Sequence, residues 1–241
     1  NIMKVGIIGL PNVGKSTIFN ALTEADIPAN NYPFCTIEPN TGIVNVPDSR
    51  LQSINQFIKT ERIIQTAIEF VDIAGLVKGA SSGEGLGNQF LSHIRNVDTI
   101  IHVVRGFDND DITHIEETIN PLRDIQIIET ELLLNDLEQL NNRLQKVTKI
   151  GKSGDKLAIR ETTLLQDAID TLNKGNLLNN FNCSGMDYNI FKSWSLLTDK
   201  PMIYLCNVDE NELQGNSKSN HYTQIKNYAD NKKIKCLKVC G

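Results

Sequence analysis

The sequence predicts an α/β fold, a mostly parallel sheet flanked by helices and interrupted by an inserted α-helical hairpin. Three observations predict it. Apolar runs alternate with helix-spaced segments over the first 121 residues, a glycine-rich turn joins the first such pair, and residues 122–180 hold a leucine seam with no strand-like run. Strands joined through helices lie parallel and need cover on both faces.

Residues 3–8 (MKVGII) read as a short buried strand, and within 16–23 (STIFNALT) Ile18, Phe19 and Leu22 recur at helical spacing. Residues 26–41 carry three prolines and several asparagines, a long loop of the kind that commonly serves function. GIVNV (42–46) and TAIEFVD (66–72) read as strands, with a short helix around Arg50–Ile58 between them. The glycine-rich passage 75–87 leads into a helix over Asn88–Asn96 and then the apolar strand TIIHVV (99–104).

The pattern then changes. Leu133, Leu137, Leu140, Leu144 and Val147 step by 4, 3, 4 and 3, the seam of paired helices, and Leu165, Ile169 and Leu172 supply the returning partner. KIGKSGDK (149–156) makes the turn of this coiled-coil hairpin. Strands resume at PMIYLCN (201–207) and IKCLKVC (234–240), with a helix near 221–231. One α/β domain is therefore expected in two parts, 1–121 and 196–241, around a helical insertion at 122–195.

Composition excludes several classes. Apolar content of 40% with 22% charged residues suits a soluble globular chain, and 24 basic against 29 acidic residues give −5, so nucleic-acid contact needs a local patch. Five cysteines (Cys35, Cys183, Cys206, Cys236, Cys240) form no C-x-x-C pair, which argues against zinc and disulfides and for a reducing cytosol. No apolar run nears the ~18 residues of a membrane span. The start, "MKVGIIGLP", leaves no room for a leader segment, so a soluble cytoplasmic monomer is expected.

The turn Gly9-Leu10-Pro11-Asn12-Val13-Gly14-Lys15-Ser16 fits G-x-x-x-x-G-K-[ST] between a strand and a helix. Glycine lets the backbone approach phosphate oxygens with its N–H groups turned inward, and the helix adds its positive end. Gly9, Asn12, Val13, Gly14, Lys15, Ser16 and Thr17 are thus assigned to a bound nucleotide. Lys15 bridges the outer phosphates and Ser16 offers its hydroxyl to Mg²⁺. Asp72 closes the next strand in D-x-x-G, where an acid orders the metal shell and the N–H of Gly75 meets the γ-phosphate. Thr36 is the hydroxyl expected to complete that shell. A loop with Thr36 and a second rich in glycine meet the requirement of a switch that reorders on hydrolysis.

"LCNVDE" (205–210) ends a strand where nucleotide-binding chains read a purine. Guanine readers use Asn-Lys-x-Asp, whose carboxylate accepts from the base N–H groups. Here Val208 replaces the lysine and Glu210 the aspartate, which weakens a guanine filter without itself building an adenine one. Asn207 remains able to bond a purine edge, Val208 to contact the ring, and Cys240 lies where a small base-contact turn is expected.

The stretches "GLPNVGKST" (9–17), "NYPFCTIEPN" (31–40), "VDIAGLVKGASSGEGLGNQFL" (71–91) and "NVDE" (207–210) resemble the Obg-related class of P-loop GTPases, and within it the YchF or Obg-like ATPase family. The hairpin falls where that family carries its coiled-coil insertion. The resemblance implies a preference for ATP over GTP and association with ribosomes. Family members continue into a C-terminal TGS domain, whereas this sequence stops at Gly241, which implies a truncated chain.

Many relatives orient the attacking water with a glutamine where this chain has Leu76, so slow intrinsic hydrolysis is expected. His114, after the acidic run "FDNDDIT", is the candidate for bringing an imidazole to the phosphate; a histidine that merely starts a helix is the commoner explanation. His102, inside "TIIHVV", reads as a packed strand residue. From Arg143 to Arg160 lie six bases (Arg143, Lys146, Lys149, Lys152, Lys156, Arg160) against one acid, Asp155, a patch suited to ribosomal RNA although charge runs are usually solvated faces. The expected function is a slow, Mg²⁺-dependent ATP hydrolase that switches conformation on the ribosome. The alternatives are a nucleotide-sensing binding module with incidental turnover and a strict Obg-type GTPase.

Overall fold

The computed structural model describes residues 2–23, 40–58, 60–73, 85–107, 119–215 and 220–241. Its strands are β1 (Met3–Ile8), β2 (Thr41–Asn45), β3 (Ala67–Asp72), β4 (Thr99–Arg105), β5 (Met202–Asn207) and β6 (Lys235–Val239). They form one sheet in the order β2-β3-β1-β4-β5-β6. Every neighbouring pair is parallel except β2 with β3, which run antiparallel. That antiparallel pair stands at one edge of the sheet, where consecutive strands lie side by side.

The helices are α1 (Lys15–Thr23), α2 (Ser49–Phe57), α3 (Gly85–Arg95), α4 (Pro121–Gly151), α5 (Lys156–Asn173), α6 (Met186–Ser193), the short α7 (Glu210–Leu213) and α8 (His221–Asn231). The central strands β1, β4 and β5 carry near-continuous buried runs, as strands covered on both faces must. Ile7, Ile8, Ile100, Val103, Val104, Tyr204 and Cys206 are at most 1% exposed.

The long helix α4 crosses between two cores. Ile125, Ile128 and Leu132 pack beneath the sheet, whereas Leu140 and Val147 join Leu165, Ala168, Ile169 and Leu172 of α5 in a second cluster. The leucine seam lies where its spacing places it, with Leu133, Leu137 and Leu144 half-buried on that second cluster. Helix α6 is not foreshadowed by the apolar pattern. It packs along the side of the hairpin, with Asp187 bonded by Arg160 at the start of α5 and Phe191 stacked on Phe181 at 5.1 Å and edge-on to Trp194 at 5.7 Å.

Buried polar ties hold the hairpin to the sheet. Asp136, fully buried on α4, accepts from the backbone N–H groups of Leu197 (3.0 Å) and Thr198 (2.8 Å) and from the Thr198 hydroxyl (2.8 Å). Glu129, earlier on the same helix, accepts from Tyr228 (2.8 Å), Lys232 (2.7 Å) and the Tyr204 hydroxyl. Arg95, ending α3, donates to Asn135 (2.7 Å) and Gln139 (2.8 Å), one turn apart on α4.

His102 sits in β4 with 1% exposure, edge-on to Tyr204 at 5.7 Å, as a packed strand residue. Burial pushes its imidazole down to about 3. The unfolded chain therefore takes up this proton near pH 6.5 while the folded chain does not, so stability falls as pH drops from about 6.5 toward 3, by about 1.4 kcal/mol per unit. Denaturant titrations of wild type and His102→Leu at pH 7 and pH 5 check this. Wild type is expected to lose about 2 kcal/mol more than the variant over that step.

Candidate functional site

The C-terminal ends of β1, β3, β4, β5 and β6 share one rim of the sheet, the end at which open α/β sheets place ligands. From β1 the chain enters the loop 9–14 and then α1. Neighbouring strand ends put Asp72, Arg105 and Asn207 around that loop, with Ile7 level with Asp72 and Arg105 level with Asn207.

Two residues of the loop take positive φ, Asn12 (63°) and Gly14 (88°). At Gly14 only glycine fits twice over, because a Cβ there would sit 2.2 Å from the Asn207 amide nitrogen. At Gly9 a Cβ would meet the Val103 carbonyl oxygen at 2.7 Å, so the loop lies hard against β4. The first helical bond of α1 runs from the Ile18 N–H to the Gly14 carbonyl (3.0 Å). The N–H groups of Lys15, Ser16 and Thr17 thus begin a helix, where backbone donors and the dipole's positive end favour an anion.

Lys15 and Ser16 converge on Asp72. The Lys15 ammonium lies 2.7 Å from Asp72 Oδ1, and the Ser16 hydroxyl donates to Oδ2 at 3.4 Å. A hydroxyl and a carboxylate are hard oxygen donors, the chemistry Mg²⁺ prefers. Among the described residues no three His, Cys, Asp or Glu side chains gather into a metal-holding group.

Asn207, 1% exposed, ties the rim together. Its amide nitrogen donates to the Val13 carbonyl (3.0 Å), and its oxygen accepts from the Gly241 N–H (3.0 Å). Val208 is 2% exposed and belongs to the main core. Asp209 caps α7, accepting from the Glu212 N–H at 2.7 Å, and leaves Glu210 exposed in the first turn. Cys240 is exposed, directly after β6. Thr36, Gly75 and His114 lie outside the described residues.

A further group at this rim carries no motif in the sequence. Arg105 ends β4 with 1% exposure; its guanidinium lies 4.6 Å from the centre of the Phe107 ring, and its Nε donates to the Phe107 carbonyl at 3.2 Å. Gly106 between them donates to the Asn207 carbonyl at 2.7 Å. The available signal is an arginine closing an otherwise apolar strand, since a cation buried at a strand end calls for partners.

The structure corrects the charge count at the hairpin tip. Arg143 pairs with Glu161, and Arg160 donates to Asp187, at 3.1 Å through one guanidinium nitrogen. Both acids lie beyond the Arg143–Arg160 window, so a count along the sequence misses them. Lys146, Lys149, Lys152 and Lys156 have no carboxylate at ion-pair distance among the described residues, while Asp155 caps α5 by accepting from Ala158 N–H at 2.9 Å. Four cations therefore carry the patch, not six.

The family model described as 50S ribosome-binding GTPase matches residues 4–136, which include all but the first residue of β1, the phosphate loop, Asp72 and the start of α4. A solved structure of the Schizosaccharomyces pombe YchF GTPase superposes with a TM-score of 0.84 at 37% identity, covering 100% of this chain and 66% of that one. The chain belongs to the YchF family of P-loop GTPases. Ribosome-binding ATPase YchF of Bacillus subtilis is 44% identical over 239 residues, 99% of this chain and 65% of its own length. The Haemophilus influenzae protein of the same name is 51% identical over 213 residues, 88% of this chain and 59% of its own length. This YchF-family chain thus spans less than two thirds of these curated relatives. Among its described residues, no helix is long and apolar enough to cross a membrane.

Proposed function

We propose that the chain binds and slowly hydrolyses ATP, in preference to GTP, as a Mg²⁺-dependent conformational switch that associates with the ribosome as a cytoplasmic monomer. One observation carries it: Lys15, Ser16 and Asp72 meet at the N-terminus of α1, behind a loop whose Gly14 leaves no room for a side chain. The backbone from Gly9 through Thr17 holds the phosphates, Lys15 neutralises the outer ones, and Ser16 with Asp72 would hold Mg²⁺, with Thr36 the further hydroxyl assigned. Bound there, Mg²⁺ supplies positive charge to the phosphate oxygens. Gly75 is assigned to the γ-phosphate and His114 to the attacking water. The Leu76 side chain can neither donate to nor accept from that water, and turnover is accordingly slow.

For the base, Asn207 is held by the phosphate loop and by Gly241, so the base reader and the phosphate cradle form one unit. Phe107 emerges beside Asn207 and offers a ring on which a purine stacks. With Asp209 occupied as a helix cap, Glu210 is the carboxylate left to face the base, Val208 backs it from the core, and Cys240 closes the opposite side. The names of relatives divide here: the bacterial proteins are called ATPases and the S. pombe protein a GTPase. Competition of Mg·ATP against Mg·GTP, read by phosphate release with and without ribosomes, tests this proposal; tighter GTP would convert it to an Obg-type GTPase.

The relatives' ribosome binding suits the hairpin tip, whose four lysines face ribosomal RNA in this proposal. Charge reversal of Lys149, Lys152 and Lys156 to Glu is expected to weaken ribosome binding at least tenfold and to flatten its salt dependence. Sedimentation at 50 and 200 mM salt measures both, and unchanged binding would remove the tip from the contact.

A further inference from the structure

A buried arginine is costly unless its plane and its donors are used. Arg105 uses both on the residue two positions ahead. Its guanidinium covers the Phe107 ring at 4.6 Å, and its Nε–H bonds the Phe107 carbonyl at 3.2 Å, so one side chain fixes the backbone and the ring of the same residue. Between them Gly106 runs so close to β5 that a Cβ would lie 2.5 Å from the Cys206 sulfur and 3.3 Å from the Asn207 carbonyl oxygen. The Gly106 N–H bond to that oxygen, at 2.7 Å, locks the segment in place. Three constraints thus fix Phe107 at the end of β4, beside the base reader Asn207.

We propose that Arg105 is a positioning residue for base recognition, holding Phe107 in the orientation that stacks on the purine while leaving the phosphate cradle alone. The proposal rests on the nucleotide site described above. It separates nucleotide affinity into a phosphate part, set by the loop 9–17, and a base part that Arg105 governs without touching the ligand. A packing residue of the same volume would serve the core as well, but it would supply neither the bond to the carbonyl nor the charge over the ring.

Calorimetric dissociation constants for Mg·ATP and for Mg·tripolyphosphate, which has no base, test it on wild type, Arg105→Met and Arg105→Lys. Methionine keeps an unbranched stem without the cation; lysine keeps the charge without the planar fork. Both variants are expected to bind ATP about tenfold more weakly, the equivalent of one good contact, with tripolyphosphate changed less than twofold. Equal losses for the two ligands would show a general structural role and overturn the proposal, as would unchanged ATP affinity. Should Arg105→Met not fold, the selective loss in Arg105→Lys decides alone. Wild type binding both ligands equally would overturn base gripping while sparing the phosphate site. Wild type binding neither would remove the phosphate site and this proposal with it.

Discussion

Replacing Lys15 by methionine is expected to slow single-turnover hydrolysis of Mg·ATP by on the order of 10²–10³-fold, the loss typical of one charge-stabilising donor. Methionine keeps most of the stem and removes only the ammonium, so the effect reports charge. That charge stands 2.7 Å from Asp72, with the two side chains 12% and 14% exposed. In so little solvent the ammonium acts with limited screening, which is why one group has so large an effect. The substitution also leaves Asp72 without its cation, so a modest fall in melting temperature accompanies the lost rate. Rapid-quench measurement on the folded variant separates the two, and a rate within a few-fold of wild type would remove Lys15 from the chemistry.

Gly14→Ala is expected to weaken Mg·ATP binding by about 100-fold or more, through backbone strain and collision together. The φ of 88° costs an alanine about 1–2 kcal/mol. The added carbon would also lie 2.2 Å from the Asn207 amide, a buried side chain that cannot yield without breaking its bonds to Val13 and Gly241. Gly154 provides the control. It has nearly the same φ, 87°, but a Cβ there would meet nothing within 4 Å, so Gly154→Ala carries the strain alone. At about 2–4 °C of melting temperature per kcal/mol in a chain of this size, Gly154→Ala should lose only a few degrees and Gly14→Ala clearly more. Equal shifts for the two would mean that Asn207 is not pressed against the loop.

How much of this is legible in the sequence depends on whether the signal is local. The strands can be placed closely because their apolar runs are continuous and bounded by turn residues. The hairpin is legible because a seam repeated over Leu133–Val147 has only one way to be buried. The phosphate loop is legible because Gly9 and Gly14 answer backbone needs, and Lys15 a need for charge, within one short turn. The antiparallel edge strand, α6, the clamp of Arg105 on Phe107, and the pairing of Arg143 and Arg160 depend on partners brought together by the fold. Asp209 is a different case, a local signal that reads two ways. Its spacing to Glu212 marks a helix cap, yet next to Asn207 it reads as part of a base motif.

The central claim is that the bend between β1 and α1 holds the three phosphates of a nucleotide with the help of Lys15 and magnesium. Calorimetric titration of Mg·ATP into the 241-residue chain tests it most directly. The structure predicts a saturable heat with one site per chain, lost when magnesium is omitted and weakened by Lys15→Met; no heat at millimolar nucleotide, or an isotherm indifferent to both changes, would contradict it.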